Sequence, residues 1–172
     1  MKRWLAPLAA GALSAAIAWQ ATLLAAPFAL MRVAMRRLAA NAPENAFVHS
    51  PPTRADRQLV VRPSPDLLYS ICVFDVSAGA VLVDVPPIAR HYWSVSIFDA
   101  RTDVAAVRSD RDTGGGPARL ALVARGQAAP AGYDAVPLAH PRGIALIRVL
   151  VSGDDDVRAV DPLRQQASCR TS

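Results

Sequence analysis

The sequence predicts a mainly β domain, an antiparallel sandwich or jelly-roll-like fold closed by a short C-terminal helix, carried behind one N-terminal transmembrane helix. Three observations predict it. Residues 4–31 hold no charged side chain. After a Pro-rich stretch the hydrophobic period changes from helical to two. Gly and Pro turn signals then cut the remainder into short segments. A chain of 172 residues has room for one domain and an appendage. The predicted division is an anchor with a basic juxtamembrane turn over 1–38, a linker over 39–57 and a β-rich extracytoplasmic domain over 58–172.

The anchor comes first. A helix over residues 4–31 would extend roughly 42 Å, against the ~30 Å of a bilayer's hydrocarbon core. Pro7 suits a first turn, and Pro27 should kink or end the helix near the far interface. The rival is a cleaved signal peptide, with Met1-Lys2-Arg3 as a basic start and Ala16-Ile17-Ala18 as small residues for cleavage. Apolar sequence continues past that site through Leu23, Leu24, Phe28 and Leu30, which favours an uncleaved anchor contacting the bilayer through residues 5–30. Orientation is open on charge, because Lys2 and Arg3 are balanced by Arg32, Arg36 and Arg37. Those arginines read as a helix end reaching for lipid headgroups.

The linker carries Pro43, Pro51 and Pro52. Beyond it, Trp93, Val95 and Ile97 alternate with Ser94 and Ser96, and Val81, Val83 and Val85 alternate around Asp84, each the pattern of a strand with one buried face. Residues 68–74 and 144–151 are apolar on nearly both faces, as central strands are; Arg148 is the exception. Segments 59–62, 104–108 and 120–123 add shorter strands. Asp154-Asp155-Asp156 and Asp161-Pro162 read as helix N-terminal signals, so the chain is expected to end on a short helix over 163–167.

Charge excludes one class of function. The net charge of +5 belongs to the anchor, because from residue 41 onward fourteen arginines meet fourteen acids. A neutral domain lacks the electrostatic footprint of nucleic-acid binding, and no nucleic-acid partner is expected.

The run Arg62-Pro63-Ser64-Pro65-Asp66-Leu67-Leu68-Tyr69-Ser70 resembles the signature of the bacterial domain-of-unknown-function 1254 family. Phe74-Asp75-Val76-Ser77-Ala78-Gly79 resembles that family's strand-to-turn segment, and Tyr92-Trp93-Ser94-Val95 with Phe98-Asp99 its next core strand. Residues 143–149 resemble a later strand, and Ala167-Ser168-Cys169-Arg170 the end of its short, membrane-anchored members. The resemblance covers about 45–170. It departs at Ser64 and Leu67, where longer members have Asn and Thr, and no companion domain is expected behind. The resemblance implies a β-rich envelope domain of uncharacterised role and supplies no catalytic residues.

Cys72 and Cys169 are too far apart in sequence for a local metal knuckle. They read either as a disulfide closing a loop of about 100 residues, worth roughly 4 to 5 kcal/mol on the chain-entropy model, or as one buried and one exposed thiol. Together with the resemblance they point to the periplasm, with the anchor single-pass in a bacterial inner membrane. His49, His91 and His140 read as scattered loop histidines, and no metal or cofactor is expected. Gly114-Gly115-Gly116 precedes Pro117 rather than Gly-Lys-Ser/Thr, which reads as a hairpin loop and not a phosphate loop. No Gly-x-Ser-x-Gly or His-Glu-x-x-His run occurs.

Arg62, Asp66, Tyr69, Asp99 and Arg148 are the polar set singled out as ligand-binding candidates, because they border or interrupt apolar strands where unpaired charge is costly. No catalytic residue is assigned. The leading reading is a non-enzymatic envelope module binding a ligand or protein partner. The alternatives are an envelope hydrolase or isomerase using Asp66, Tyr69 or His91, and a structural subunit of a membrane complex.

Overall fold

A computed structural model describes residues 2–40, 42–52 and 63–172. Arg62 and the strand expected over 59–62 lie outside the described residues. The helix α1 (Leu5–Ala39) is one continuous element, long and apolar enough to cross a membrane. Pro27 lies inside it and does not end it. A proline removes one backbone donor. Here the helix beyond it has a second support: Met31, Ala34, Met35, Leu38 and Ala39, spaced along one face, cluster with Ile71, Val73, Phe98 and Ile144 of the domain.

Among the described residues nine strands follow: β1 (Phe47–His49), β2 (Leu67–Asp75), β3 (Val81–Val85), β4 (Trp93–Asp99), β5 (Val104–Ser109), β6 (Ala118–Ala124), β7 (Asp134–Leu138), β8 (Arg142–Leu150) and β9 (Ser168–Thr171). They form a five-stranded sheet in the order β1-β2-β8-β4-β5 and a four-stranded sheet in the order β7-β6-β3-β9. The two sheets enclose one core. Leu68, Cys72 and Phe74 of β2, Trp93, Val95 and Ile97 of β4, and Ala145, Ile147 and Val149 of β8 meet Val81, Val83 and Val85 of β3 and Leu120 and Leu122 of β6. The period-two alternation of the sequence therefore sets which face of each strand is inward. Gly143 has a packing reason: a Cβ there would lie 2.1 Å from the Phe98 carbonyl oxygen and 2.5 Å from the Phe74 ring.

Three strands were not foreseen. β1 lies within the segment read as linker and pairs with β2. Asn45, at φ 57°, holds the lead-in by accepting the Asp75 N–H at 2.9 Å and donating to the Asp75 carbonyl at 3.3 Å. β7 runs parallel to β6 at an edge, where Pro137 is tolerated. β9 follows the expected short C-terminal helix and pairs antiparallel with β3. The helix α2 (Asp154–Arg164) begins at the acidic run, and Asp161 and Pro162 fall in its last turn rather than at its start. Asp161 binds Arg164 there instead of capping. The triple glycine is also not a hairpin loop, because β5 and β6 belong to different sheets; Gly114 and Gly115 take positive φ as the chain crosses between them.

Cys72 of β2 and Cys169 of β9 form a disulfide with Cα atoms 6.5 Å apart, within the range such a bond requires. It joins the two sheets along one flank. On the other flank β5 and β7 are linked by Arg108 and Asp134, Nε to Oδ2 3.6 Å, a solvent-exposed pair that contributes little.

Candidate functional site

Strand register gives the sandwich two distinct ends. Asp75, Asp99 and Gly143 share one end of the five-stranded sheet, while Leu67, Trp93 and Leu150 share the other. The helix α1 belongs to the first end. Phe28 stacks edge-on against His140 at 5.1 Å and lies beneath the Arg101 guanidinium at 5.6 Å, in the turns that connect β7 to β8 and β4 to β5. Its later turns then cover the outer face of the five-stranded sheet through Ile144, Phe98, Val73 and Ile71.

A cleft of about 470 Å³ lies on the other sheet, lined by Asp84, Val85, Pro86, Pro117, Arg119, Tyr133, Gln166 and Arg170. Val83 and Val85 of β3 point inward, so Asp84 points outward, and Arg119 on β6 is its direct cross-strand neighbour. Ser168 of β9 lies opposite Asp84 on the other side. Because β3 starts beside the first end of the sandwich and reaches Val85 at the second, this cleft occupies the outer face and the end remote from α1.

Asp84 organises the cleft. Its Oδ2 accepts from Tyr133 Oη at 3.1 Å, from Ser168 Oγ at 3.2 Å and from Arg170 Nη1. Arg170 Nη2 donates to Tyr133 Oη at 3.0 Å. The hydrogen bond to Asp84, followed by that to Tyr133, raises the Arg170 guanidinium's pKa above its ordinary value. Arg119 is exposed and makes no hydrogen bond or ion pair among the described residues. The sequence singled out none of these residues as a site. The one signal was Asp84 opposing the valines of β3, and strand pairing supplies the rest.

The polar residues that sequence reading selected are distributed differently. Tyr69 and Arg148 are direct cross-strand neighbours, and Arg148 in turn lies opposite Ser94. They form an outward row at the second end of the five-stranded sheet. Tyr69 Oη accepts the Ser64 N–H at 3.0 Å. Arg148 Nε and Ser94 Oγ are buried with no hydrogen-bond partner among the described residues. Asp66 is exposed. Asp99 lies at the opposite end, where its Oδ1 accepts the N–H groups of Arg101 at 2.7 Å and Asp103 at 3.1 Å, an arrangement that closes the β4–β5 turn. His91 contacts Asp156, Nε2 to Oδ1 3.5 Å. The Ser152 N–H and then His91 hold the Asp156 carboxyl below the usual carboxylate range. Asp66, Tyr69 and His91 share no hydrogen bond among the described residues.

One further cluster escaped the sequence. Arg164 of α2 is 1% exposed and donates to the Tyr69 carbonyl, to Ser70 Oγ at 3.1 Å, to the Ser50 carbonyl at 3.1 Å and to Asp161. His49, which lies in β1 and not in a loop, shares a 2.8 Å hydrogen bond with the same Ser70 Oγ. Burial, and then the Arg164 charge, push the His49 pKa below 6.5, with Asp161 opposing. This network ties α2, β2 and the lead-in together.

The family model of DUF1254, a protein of unknown function, matches residues 44–171, nearly the span over which the sequence resembles that family. None of the curated proteins compared with the chain matches it. Among solved structures, the VPA0106 protein of Vibrio parahaemolyticus superposes with a TM-score of 0.72 at 22% identity, over 88% of this chain and 37% of that one. An uncharacterised protein from Burkholderia cenocepacia gives 0.49 at 15% identity, over 74% and 34%. The chain thus spans little more than a third of the Vibrio protein, and the likeness is one of fold. With the family model covering nearly the whole domain, the chain belongs to the DUF1254 family of proteins of unknown function.

Proposed function

We propose that this chain is a non-enzymatic binding module of the bacterial envelope, held in the inner membrane by residues 5–30, with its β domain in the periplasm and a small solute as ligand of the cleft around Asp84. The observation that carries the reading is the position of that cleft, on the face and at the end of the sandwich remote from α1. Twenty residues of helix cross a ~30 Å hydrocarbon core. A span beginning at Leu5 therefore leaves the core near Leu24, and Phe28, with Arg101 and His140 around it, sits about one turn farther out at headgroup depth. The cleft then opens to the aqueous phase, away from the bilayer. The volume is that of a small-molecule site. The disulfide fits an oxidising compartment.

Two experiments test this reading. A phosphatase fused after Ser172 should be active, whereas fluorescence from a fusion partner that matures only in the cytoplasm would reverse the topology. For the cleft, a fluorinated fragment library screened by NMR against the full chain in lipid nanodiscs should give binders that shift Tyr133. Those binders should be lost in Gln166→Trp, which fills the cleft from an exposed position. Fragments that bind equally to both proteins would remove the cleft from the proposal.

A further inference from the structure

The cleft's inventory of donors and charge narrows the chemistry of what it holds. Asp84 Oδ2 is saturated by three donors, while Arg119 is unengaged among the described residues and Arg170 retains Nε–H and one Nη2–H beyond its bonds to Asp84, Ser168 and Tyr133. The open hydrogen-bonding capacity is therefore mostly donor capacity. Two guanidiniums against one carboxylate leave one positive charge. Pro86 and Pro117 supply a stiff apolar wall, and Gln166 also lines the cleft.

We infer that the ligand is a small organic carboxylate, its head held by Arg119 and Arg170 and its apolar body lying on Pro86 and Pro117. This rests on the proposal that the cleft is the binding site. A guanidinium presents a planar fork of N–H groups that matches a carboxylate's two oxygens. Arg170 is pre-oriented for that contact, because Asp84, Ser168 and Tyr133 fix its plane before any ligand arrives. Arg119 completes the pair from β6, on the other side of β3. A single negative charge cancels the surplus of the cleft, whereas a doubly charged phosphate would leave negative charge beside Asp84.

The test is calorimetry on the full chain in lipid nanodiscs with benzoate, its neutral counterpart benzamide and inorganic phosphate. Benzoate should bind at least tenfold more tightly than either. Arg119→Ala should weaken benzoate about tenfold and leave benzamide unchanged, and Arg119→Lys should recover part of the loss. Arg119 is exposed, so these variants should melt like the wild type. Equal binding of benzoate and benzamide, or tighter binding of phosphate, would overturn the carboxylate assignment. Fragment binders that shift Tyr133 while benzoate produces no heat would overturn it too, leaving the cleft as the site. If neither benzoate nor any fragment reaches Tyr133, both readings fall.

Discussion

The two outer faces of the sandwich follow the same plan and end differently. On the five-stranded sheet the outward positions are apolar toward the end where α1 enters, at Val73, Ile144 and Phe98, and turn polar toward the far end at Tyr69, Arg148 and Ser94, with Leu67 and Leu150 beyond them. On the four-stranded sheet Leu82, Ala121 and Val123 form an apolar patch packed with Ala129 and Tyr133, while Asp84 and Arg119 lie beyond it and Arg170, opposite Leu82, reaches Asp84. The apolar half of one face is covered by the helix α1 and that of the other by the segment leading into β7. Burial of apolar area drives both contacts. The difference lies in what covers each face: a long apolar helix on one side, and a short loop that leaves a polar cleft open on the other.

The comparison presumes that both sheets are held as one body, and the disulfide is the bond to break first. Cys72→Ser or Cys169→Ser should each lower stability by roughly 4 to 5 kcal/mol on the chain-entropy model. The double variant should be little worse than either, since all remove one cross-link. Urea unfolding in nanodiscs measures this. A double variant twice as destabilised would show that the thiols act separately.

Next in size is the network at the far end. Arg164→Ala should cost about 3 kcal/mol by leaving buried partners unmatched. Loss of helix α2 amide protection in hydrogen exchange would accompany it. The contrast between faces is sharper still in a matched pair. Met31→Ala, at the helix contact, should destabilise by about 2 kcal/mol, while Arg119→Ala in the open cleft should change stability by less than about 0.5 kcal/mol. Equal effects would erase the distinction between a packed face and a free one.

The smallest effect is a pH dependence. His49 has its folded pKa below 6.5, so the unfolded chain binds its proton first. Its contribution is fully present above that value and is lost as pH falls from about 6.5 toward the folded pKa. Stability measured between pH 7.5 and 5 should therefore decline in the wild type and decline less in His49→Gln. Asp112, lowered by hydrogen bonds from Ser109, and Asp156 lose their contributions only in more acidic solution, below 3.8.

Much of the fold was legible in the sequence because a strand with one buried face announces itself. Val81, Val83 and Val85, and Trp93, Val95 and Ile97, gave both the strands and their inward sides. The three strands that escaped are edges. β1 is three residues between prolines, β7 contains Pro137, and β9 reads Ser-Cys-Arg-Thr with one apolar side chain. Edge strands bury less and so carry less pattern. The cleft was illegible for a related reason. Asp84, Arg119, Tyr133 and Arg170 come from four separate segments, and only the pairing of β3 with β6 and β9 brings them together. Tyr69 and Arg148 were legible because each interrupts an apolar run, and the fold makes them neighbours. Asp99 interrupted such a run too, but its role is local, within its own turn.

The opposition of the two faces is tested most directly by the distance of each from the bilayer. With the full chain in nanodiscs containing a paramagnetic headgroup lipid, the amide signals of Arg101 and His140 should be strongly broadened, and those of Arg119 and Tyr133 should keep their intensity. Broadening of Arg119 and Tyr133 equal to or greater than that of Arg101 would contradict the account, because the cleft would then face the membrane or the domain would tumble free of its helix.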